Sequence, residues 1–347
     1  MVENFQKYNA MNVYKKIFNY FKKLNIYKNI PLYNINWLKK KKFNKQILGD
    51  ENINFVDVGA RGGSSEELST LVENISYIGF DADKEEILQL ENKNSIYKNS
   101  KYICCFVGGE KKTIEFNLYK KPEASSIYFY KDEYIRWFQN DNDYIEKKIK
   151  VESDTLDNLI KEDIDILKLD TQGNEYEILQ GAKKSLNKTL IVETETMFYQ
   201  IYSGQKLAPD IMNLMNSHGF DILYINRVFS SSKDFNGLSR GQITFGEILF
   251  GLNREKALKL NTKKKLRYCI LLINFGHIDF AFDIFKNSED LKNNYPKLDL
   301  YFKSININSS KFSKLLRFTL DKILYLFLFL RKTNGLKGDS DRSWPIR

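Results

Sequence analysis

Between residues 53 and 250 the apolar positions fall into short runs of β character, separated by stretches with helical spacing. Residues 53–58 predict a first strand, which runs into a glycine-rich turn and then a helix over 65–72. A second strand follows at 77–80, a helix at 84–90 and a third strand at 102–107, with an added strand at 113–119. The fourth strand is expected at 164–169 with a helix over 174–183, and the fifth at 190–194 with a helix over 209–217. Two closing strands, 222–225 and 244–250, have no clear helix between them. Strands alternating with helices predict an α/β fold, a mostly parallel sheet covered on both faces. The closing pair predicts a hairpin that puts one strand antiparallel at the edge.

The two ends of the chain follow different patterns. In residues 1–48 lysines mix with aromatics, and Val13, Ile17, Tyr20, Phe21 and Leu24 are spaced for a short amphipathic helix. Beyond 252 the pattern turns helical, at 263–273, 278–285 and 312–330, with a polar connection before the last helix and a polar tail over 335–347. The expected division is therefore a basic, aromatic-rich extension (1–48), a central domain (49–252) and a helical extension with a tail (253–347).

Composition adds little except at those ends. With 347 residues, 42% hydrophobic and 28% charged, the chain is long enough for a packed core and ordinary for a globular protein. Its formal charge of +10 is unevenly spread, with eleven lysines between Lys7 and Lys45 against the single acid Glu3. Such a segment either touches phosphates or an anionic membrane surface, or forms a solvated face. Cys104, Cys105 and Cys269 include no CxxC pair, and the adjacent Cys104 and Cys105 read as strand residues in the core. Two histidines, His218 and His277, lie away from the motifs, so no histidine-based metal site is expected and none is assigned, while an all-carboxylate magnesium site stays open. A cytoplasmic location is the expectation, with peripheral contact at the inner membrane surface as an option. The segment 315–330 is too short and too charged for a span. It reads either as a helix buried against the domain or a second copy, or as one lying on a membrane.

Chemistry is expected where the first strand meets its glycines, at Asp57-Val58-Gly59-Ala60-Arg61-Gly62-Gly63. Glycines there let backbone approach a ligand closely, at the carboxyl ends of the strands. Arg61 breaks the G-x-G-x-x-G spacing of dinucleotide sites, which disfavours NAD. Asp81 closes the second strand about 20 residues on, as an acid that pairs with ribose hydroxyls does. A ribose partner without a pyrophosphate cradle favours an adenosine ligand.

These residues resemble the FkbM-type methyltransferases. The resemblance rests on Asp57-Val-Gly-Ala-Arg-Gly-Gly, on Gly79-Phe-Asp-Ala-Asp, and most sharply on Leu167-Lys-Leu-Asp170-Thr-Gln172-Gly173-Asn-Glu175. Val192-Glu193, Tyr202-Ser-Gly204-Gln205 and His218-Gly219-Phe220 agree in order, so about 200 residues are covered. Arg61 departs from a frequent Asn, and Asp81-Ala82 from a common Glu-Pro. The resemblance implies a class I methyltransferase fold, a Rossmann-like, doubly wound seven-stranded sheet. It also implies transfer of the S-adenosylmethionine methyl group, usually to oxygen, with a glycan or small-molecule acceptor by family tendency.

On that footing Asp57, Gly59, Arg61, Gly62, Gly63, Asp81, Ala82 and Val107 are the expected cofactor-binding residues. Asp57 is set by the methionine end and Val107 or Gly108 beside the adenine, while Asp83 reads either as a helix N-cap or as a cofactor-binding acid. Asp170 is the first choice for the group that orients the acceptor hydroxyl or takes its proton, and Glu193 the second. Gln172 and Glu175 face the same cleft, although an acid at Glu175 also suits a first helical turn. Tyr202 and Gln205 line the acceptor pocket. The competing reading is a module that grips membrane or nucleic acid through its basic arm, on a non-catalytic scaffold; no nucleic-acid motif accompanies the arm.

Overall fold

The computed structural model describes residues 37–305, apart from 62–65, 94, 140–143, 236, 238 and 240. The helical spacing at 13–24, the apolar run at 312–330 and the tail lie outside the described residues, as do Gly62 and Gly63.

Ten strands are described. β1 (Ile53–Val58), β2 (Ile75–Asp81), β3 (Asn99–Cys104), β7 (Ile164–Leu169), β8 (Thr189–Met197), β9 (Phe220–Ser230) and β10 (Gln242–Leu252) form one sheet of order β3-β2-β1-β7-β8-β10-β9. The central strands are nearly all buried, since helices cover both faces of a parallel sheet. β10 alone runs antiparallel, pairing with β8 on one side and β9 on the other. The closing hairpin thus forms as expected, but its antiparallel strand is inserted beside β8 and the edge goes to β9. Between β1 and β7 the chain direction of winding reverses, which is where open α/β sheets leave a crevice.

Three expected elements take other forms. Residues 65–72 are not an α-helix; the described part holds 3₁₀ turns at Glu66–Leu68 and Val72–Asn74. Leu68 and Leu71, three apart and both fully buried, suit the three-residue period of such turns. The run 102–107 is two strands. β3 is an exposed edge, so Cys104 is exposed and Cys105 half-buried rather than core. After Cys105 N–H donates to the Asp81 carbonyl (3.0 Å), the chain leaves the main sheet as β4 (Phe106–Gly108). β4 joins β5 (Lys112–Tyr119) and β6 (Ile145–Thr155) in a second sheet of order β4-β6-β5. The helix expected over 174–183 is broken into Glu175–Gln180 and Lys183–Leu186, because Gly181 packs on the backbone of Gly108 and Gly109.

One main core joins most of the elements, with a small second cluster at Met197, Ile201 and Tyr202. Its buried apolar residues run from Ile47 to Phe302 and so cross both expected domain boundaries. The helix Thr262–Phe275 is buried almost all round, and Trp37–Leu48 lies beside it. Asn274 bonds Asn44 and Thr70 in a closed polar cluster (2.9–3.2 Å), tying the N-terminal helix to the C-terminal one. The expected polar connection before 312 carries two further helices, Glu289–Asn294 and Pro296–Ile305. Among the described residues no helix is long and apolar enough to cross a membrane.

Candidate active site

A cleft of about 300 Å³ opens at the carboxyl ends of β1, β2, β7 and β8, with β4 as a side wall. Gly59 begins it. Its φ of +82° belongs to the left-handed region, and an added Cβ would run into the carbonyl oxygen of Asp170, so only glycine fits. Its N–H and that of Ala60 donate to the Phe80 carbonyl, which ties the turn to the end of β2. Phe80, Asp81 and Ala82 line the next stretch of wall, and Phe106, Val107 and Phe116 face it with apolar surface. Asp81 accepts the N–H of Asp83 (2.8 Å), and burial pushes its carboxyl up to about 6.

Arg61 lines the cleft, but its guanidinium lies 3.0 Å from the carboxylates of both Asp83 and Glu86. Its charge is therefore met by the protein. Asp83 caps the helix Lys84–Asn92 by accepting from Glu85 N–H (2.9 Å), as the sequence suggested.

The acidic end is built by residues 170–175. Asp170 directly follows β7 and lines the cleft, as do Thr171 and Gln172. Gln172 is the one non-glycine with positive φ (55°) among the described residues, a costly backbone state that recurs at functional sites. Its Nε2 donates to Asp170 Oδ1 (3.2 Å) and to Glu195 Oε2 (2.7 Å), and its Oε1 accepts from the Tyr202 hydroxyl (3.1 Å). Glu195 also lines the cleft. The sequence reading missed it by ending the fifth strand at 194. The period of two that selects Glu193 on β8 selects Glu195 on the same face, one step nearer the carboxyl end.

Five expected residues stand behind the cleft rather than in its wall. Asp57 is fully buried, accepting from the Tyr77 hydroxyl (2.9 Å) and facing Lys168 (3.4 Å). Glu193 lies in register with Lys168, which lies in register with Asp57, so the three form one cross-strand row. Burial pulls the Lys168 ammonium down, but Asp57, Asp170 and Glu193 outweigh it and the net shift is upward. Glu175 is buried and folds back on its own loop, accepting from Thr171 N–H (2.7 Å), the Thr171 hydroxyl (3.0 Å) and Gly173 N–H (3.0 Å). It shapes the loop from within, although burial pushes its carboxyl up to about 7. Gln205 is buried too, holding the backbone of Tyr202. Tyr202 reaches the site only through Gln172, with its ring stacked on Tyr130 (4.9 Å between centroids).

A more open, polar depression of about 590 Å³ lies at the opposite ends of the strands, lined by Asp50, Glu51, Asn54, Asp163 and Arg267. It holds neither a glycine turn nor converging strand ends, so the smaller cleft is the candidate site. Among the described residues no group of three or more His, Cys, Asp or Glu could hold a metal ion.

The strand order, with its single antiparallel strand and a glycine turn at the β1 end, is a doubly wound seven-stranded sheet, the form the sequence resemblance implies. Residues 57–222 match the family described as the methyltransferase FkbM domain. No curated protein matches. Among solved structures, the chain is similar to methyltransferase FkbM from Methylobacillus flagellatus KT at 14% identity and a TM-score of 0.32, over 57% of this chain and 43% of that one. It is also similar to magnesium protoporphyrin IX methyltransferase (ChlM) from Synechocystis PCC 6803 with bound SAM, at 10% identity and a TM-score of 0.33, over 62% and 79% of the two chains. A third likeness is to the N-terminal domain of EvdMO1 with SAH bound, at 9% identity and a TM-score of 0.33, over 64% and 83%.

Proposed function

We propose that this protein transfers the methyl group of S-adenosylmethionine to a hydroxyl of a sugar, glycan or related metabolite. The observation that carries this reading is one cleft with two chemically different ends. The Gly59 turn, the Asp81 carboxyl and the apolar faces of Phe80 and Val107 suit an adenosine, whereas Asp170 and Glu195 form an acidic end. The oxygen class and the sugar acceptor follow family tendency.

S-adenosylmethionine, when bound, supplies an electrophilic methyl on a sulfonium. Asp81 would accept from its ribose hydroxyls, and Val107 would flank its base. As an acceptor oxygen took that methyl, the C–S bonding pair would stay on sulfur as a neutral thioether. The hydroxyl proton passes to the carboxylate pair at the acidic end. Asp170 and Glu195 also fix the direction of the acceptor oxygen, which an in-line displacement requires. Asp57, out of the wall, stiffens the floor beneath the turn.

Calorimetric titration with S-adenosylmethionine, beside NAD and an Asp81→Ala variant, tests the cofactor. Saturable binding that the variant weakens, with no NAD binding, is the expected result. Well-folded protein that binds no S-adenosylmethionine would overturn the reading. Transfer of labelled methyl to a panel of hexoses and nucleotide sugars then tests the acceptor class. The competing binding-module reading depends on residues 1–36, which lie outside the described residues. Salt-dependent nucleic-acid binding without cofactor binding would favour it.

A further inference from the structure

Among the described residues that line the cleft, Arg61 is the only base, yet its guanidinium is turned to the protein. A terminal nitrogen lies 3.0 Å from Asp83 Oδ2, and Nε lies 3.0 Å from Glu86 Oε2. Asp83 is the N-cap of the helix Lys84–Asn92, and Glu86 is its third residue. Acids are favoured at both places by the helix dipole, and Asp83 Oδ1 already takes the Glu85 N–H (2.9 Å). The helix start does not need an arginine for its own sake. The Arg61, Asp83 and Glu86 side chains keep only 23%, 22% and 13% of their surface exposed, so their ion pairs are screened less than open ones.

Between these ties lies Asp81. The N–H groups of Gly59 and Ala60 donate to the Phe80 carbonyl (2.9 and 3.0 Å), one residue before it, while Arg61 grips Asp83 two residues after it. The turn after β1 is thus fastened to the end of β2 once by backbone and once by side chain. Asp83 in turn donates its N–H to Asp81 Oδ1 (2.8 Å). Among the described residues that is the hydrogen bond made by the Asp81 carboxylate, which leaves Oδ2 for a ligand. Burial lifts the Asp81 carboxyl, the Asp83 N–H and the Arg61 charge draw it back, and the Asp83 and Glu86 carboxylates push it up. Removing Arg61 would leave those two acids beside Asp81 without the charge that holds them in place.

We propose that Arg61 is a positioning residue for ribose recognition, acting on the methyl donor through Asp83 and Asp81 and not by touching it. By gripping Asp83 and Glu86 it fixes the turn 81–83, and the Asp83 N–H then sets which Asp81 oxygen meets the ribose hydroxyls. This inference rests on the methyltransferase reading above and deepens it, because it places the control of ribose binding on a side chain whose charge is already taken up by the protein.

The full chain and its variants are titrated calorimetrically with S-adenosylhomocysteine and with an analogue of it that lacks both ribose hydroxyls. Wild-type protein is expected to prefer S-adenosylhomocysteine by about tenfold to a hundredfold, the worth of hydrogen bonds to a charged group. Arg61→Met is expected to lose most of that preference, falling to the level of Asp81→Asn, while its affinity for the analogue barely changes. Combining the two substitutions should lower the preference no further than either alone, as for residues that act through one contact. Arg61→Lys keeps the charge without the planar fork and should fall in between. If Arg61→Met weakens both ligands equally and keeps the preference, its role is structural only and the proposal is overturned. Should that variant fail to fold, Glu86→Gln removes one of the two anchors and is expected to lower the preference in part; an unchanged preference there overturns the proposal equally. Equal binding of the two ligands by wild-type protein would remove Asp81 from the ribose role, and the inference with it, while leaving the cofactor assignment standing. Well-folded wild-type protein that binds neither ligand would remove the methyltransferase reading itself.

Discussion

Asp81 shows how one side chain ties burial to ligand affinity. Its carboxyl is lifted to about 6 by burial, and only the ionised form offers both oxygens as acceptors to ribose hydroxyls. Binding should therefore strengthen as pH rises through 6 and weaken as it falls. S-adenosylhomocysteine is the clean probe, since it brings no sulfonium charge. Its affinity is expected to rise about tenfold between pH 5 and 7, in line with a carboxyl that titrates within that window. Asp81→Asn should bind more weakly with a flat profile, and a wild-type profile equally flat would remove Asp81 from the ribose role. Asp81 was legible in the sequence because it ends a strand a fixed distance beyond a glycine turn. Glu195 was not, because its identification needs the true end of β8, one turn of the pleat past the residue at which the apolar run fades.

At the scale of elements, the row Asp57–Lys168–Glu193 spans three adjacent parallel strands in register. Lys168 is nearly buried, and removing it leaves carboxylates without a counter-charge. Lys168→Met is expected to destabilise the protein by about 3–5 kcal/mol at neutral pH, the usual cost of stranding a buried charge. The pH dependence follows from the burial that already raises Asp57. A carboxyl whose folded value lies above its unfolded one contributes stability at low pH and loses it as pH rises through the folded value. The variant's deficit should therefore shrink on acidification, and urea titrations at pH 5 and pH 8 measure it. An equal deficit at both would show that Lys168 acts by packing alone. The row was half visible in sequence. Asp57 and Glu193 each drew notice as strand-end acids, but register decides which atoms they meet, and it placed them under the cleft.

The second sheet shows the same limit. β6 alternates lysines with half-exposed Ile145, Ile149 and Val151, too polar a pattern to mark a strand until β5 pairs with it. The break at Cys105 is likewise set by a partner, β6, whose Ser153–Thr155 backbone captures β4.

For the whole molecule, the central question is whether 49–252 stands alone. The buried face of Thr262–Phe275 lies in the same core as β1 and β7, and Arg267 reaches back to Asp165 (2.9 Å). A chain ending at Asn253 is expected to fail to fold cooperatively, read as loss of a sharp urea transition; a sharp transition would show the C-terminal helices to be dispensable. Asn274→Ala is the milder form of this experiment. It leaves Asn44 and Thr70 with unmet polar groups in the core and should cost about 1–3 kcal/mol. A smaller loss would mean the helices are held by apolar contact alone.

By itself the sequence determined the α/β class, the order of the main strands along the chain, and the glycine turn with Asp81 and Asp170. Each of these depends on spacing along the chain: period two in strands, close backbone approach at Gly59, and an acid at a strand end. Tertiary structure alone decided which acids face ligand and which are locked beneath it, where the antiparallel strand inserts, and that the C-terminal helices complete the core. Those outcomes depend on register and on contacts between residues distant along the chain, such as Asn44 with Asn274 and Gln172 with Glu195. Local pattern carries no record of such partners, because a side chain's burial and charge environment are set by whatever packs against it.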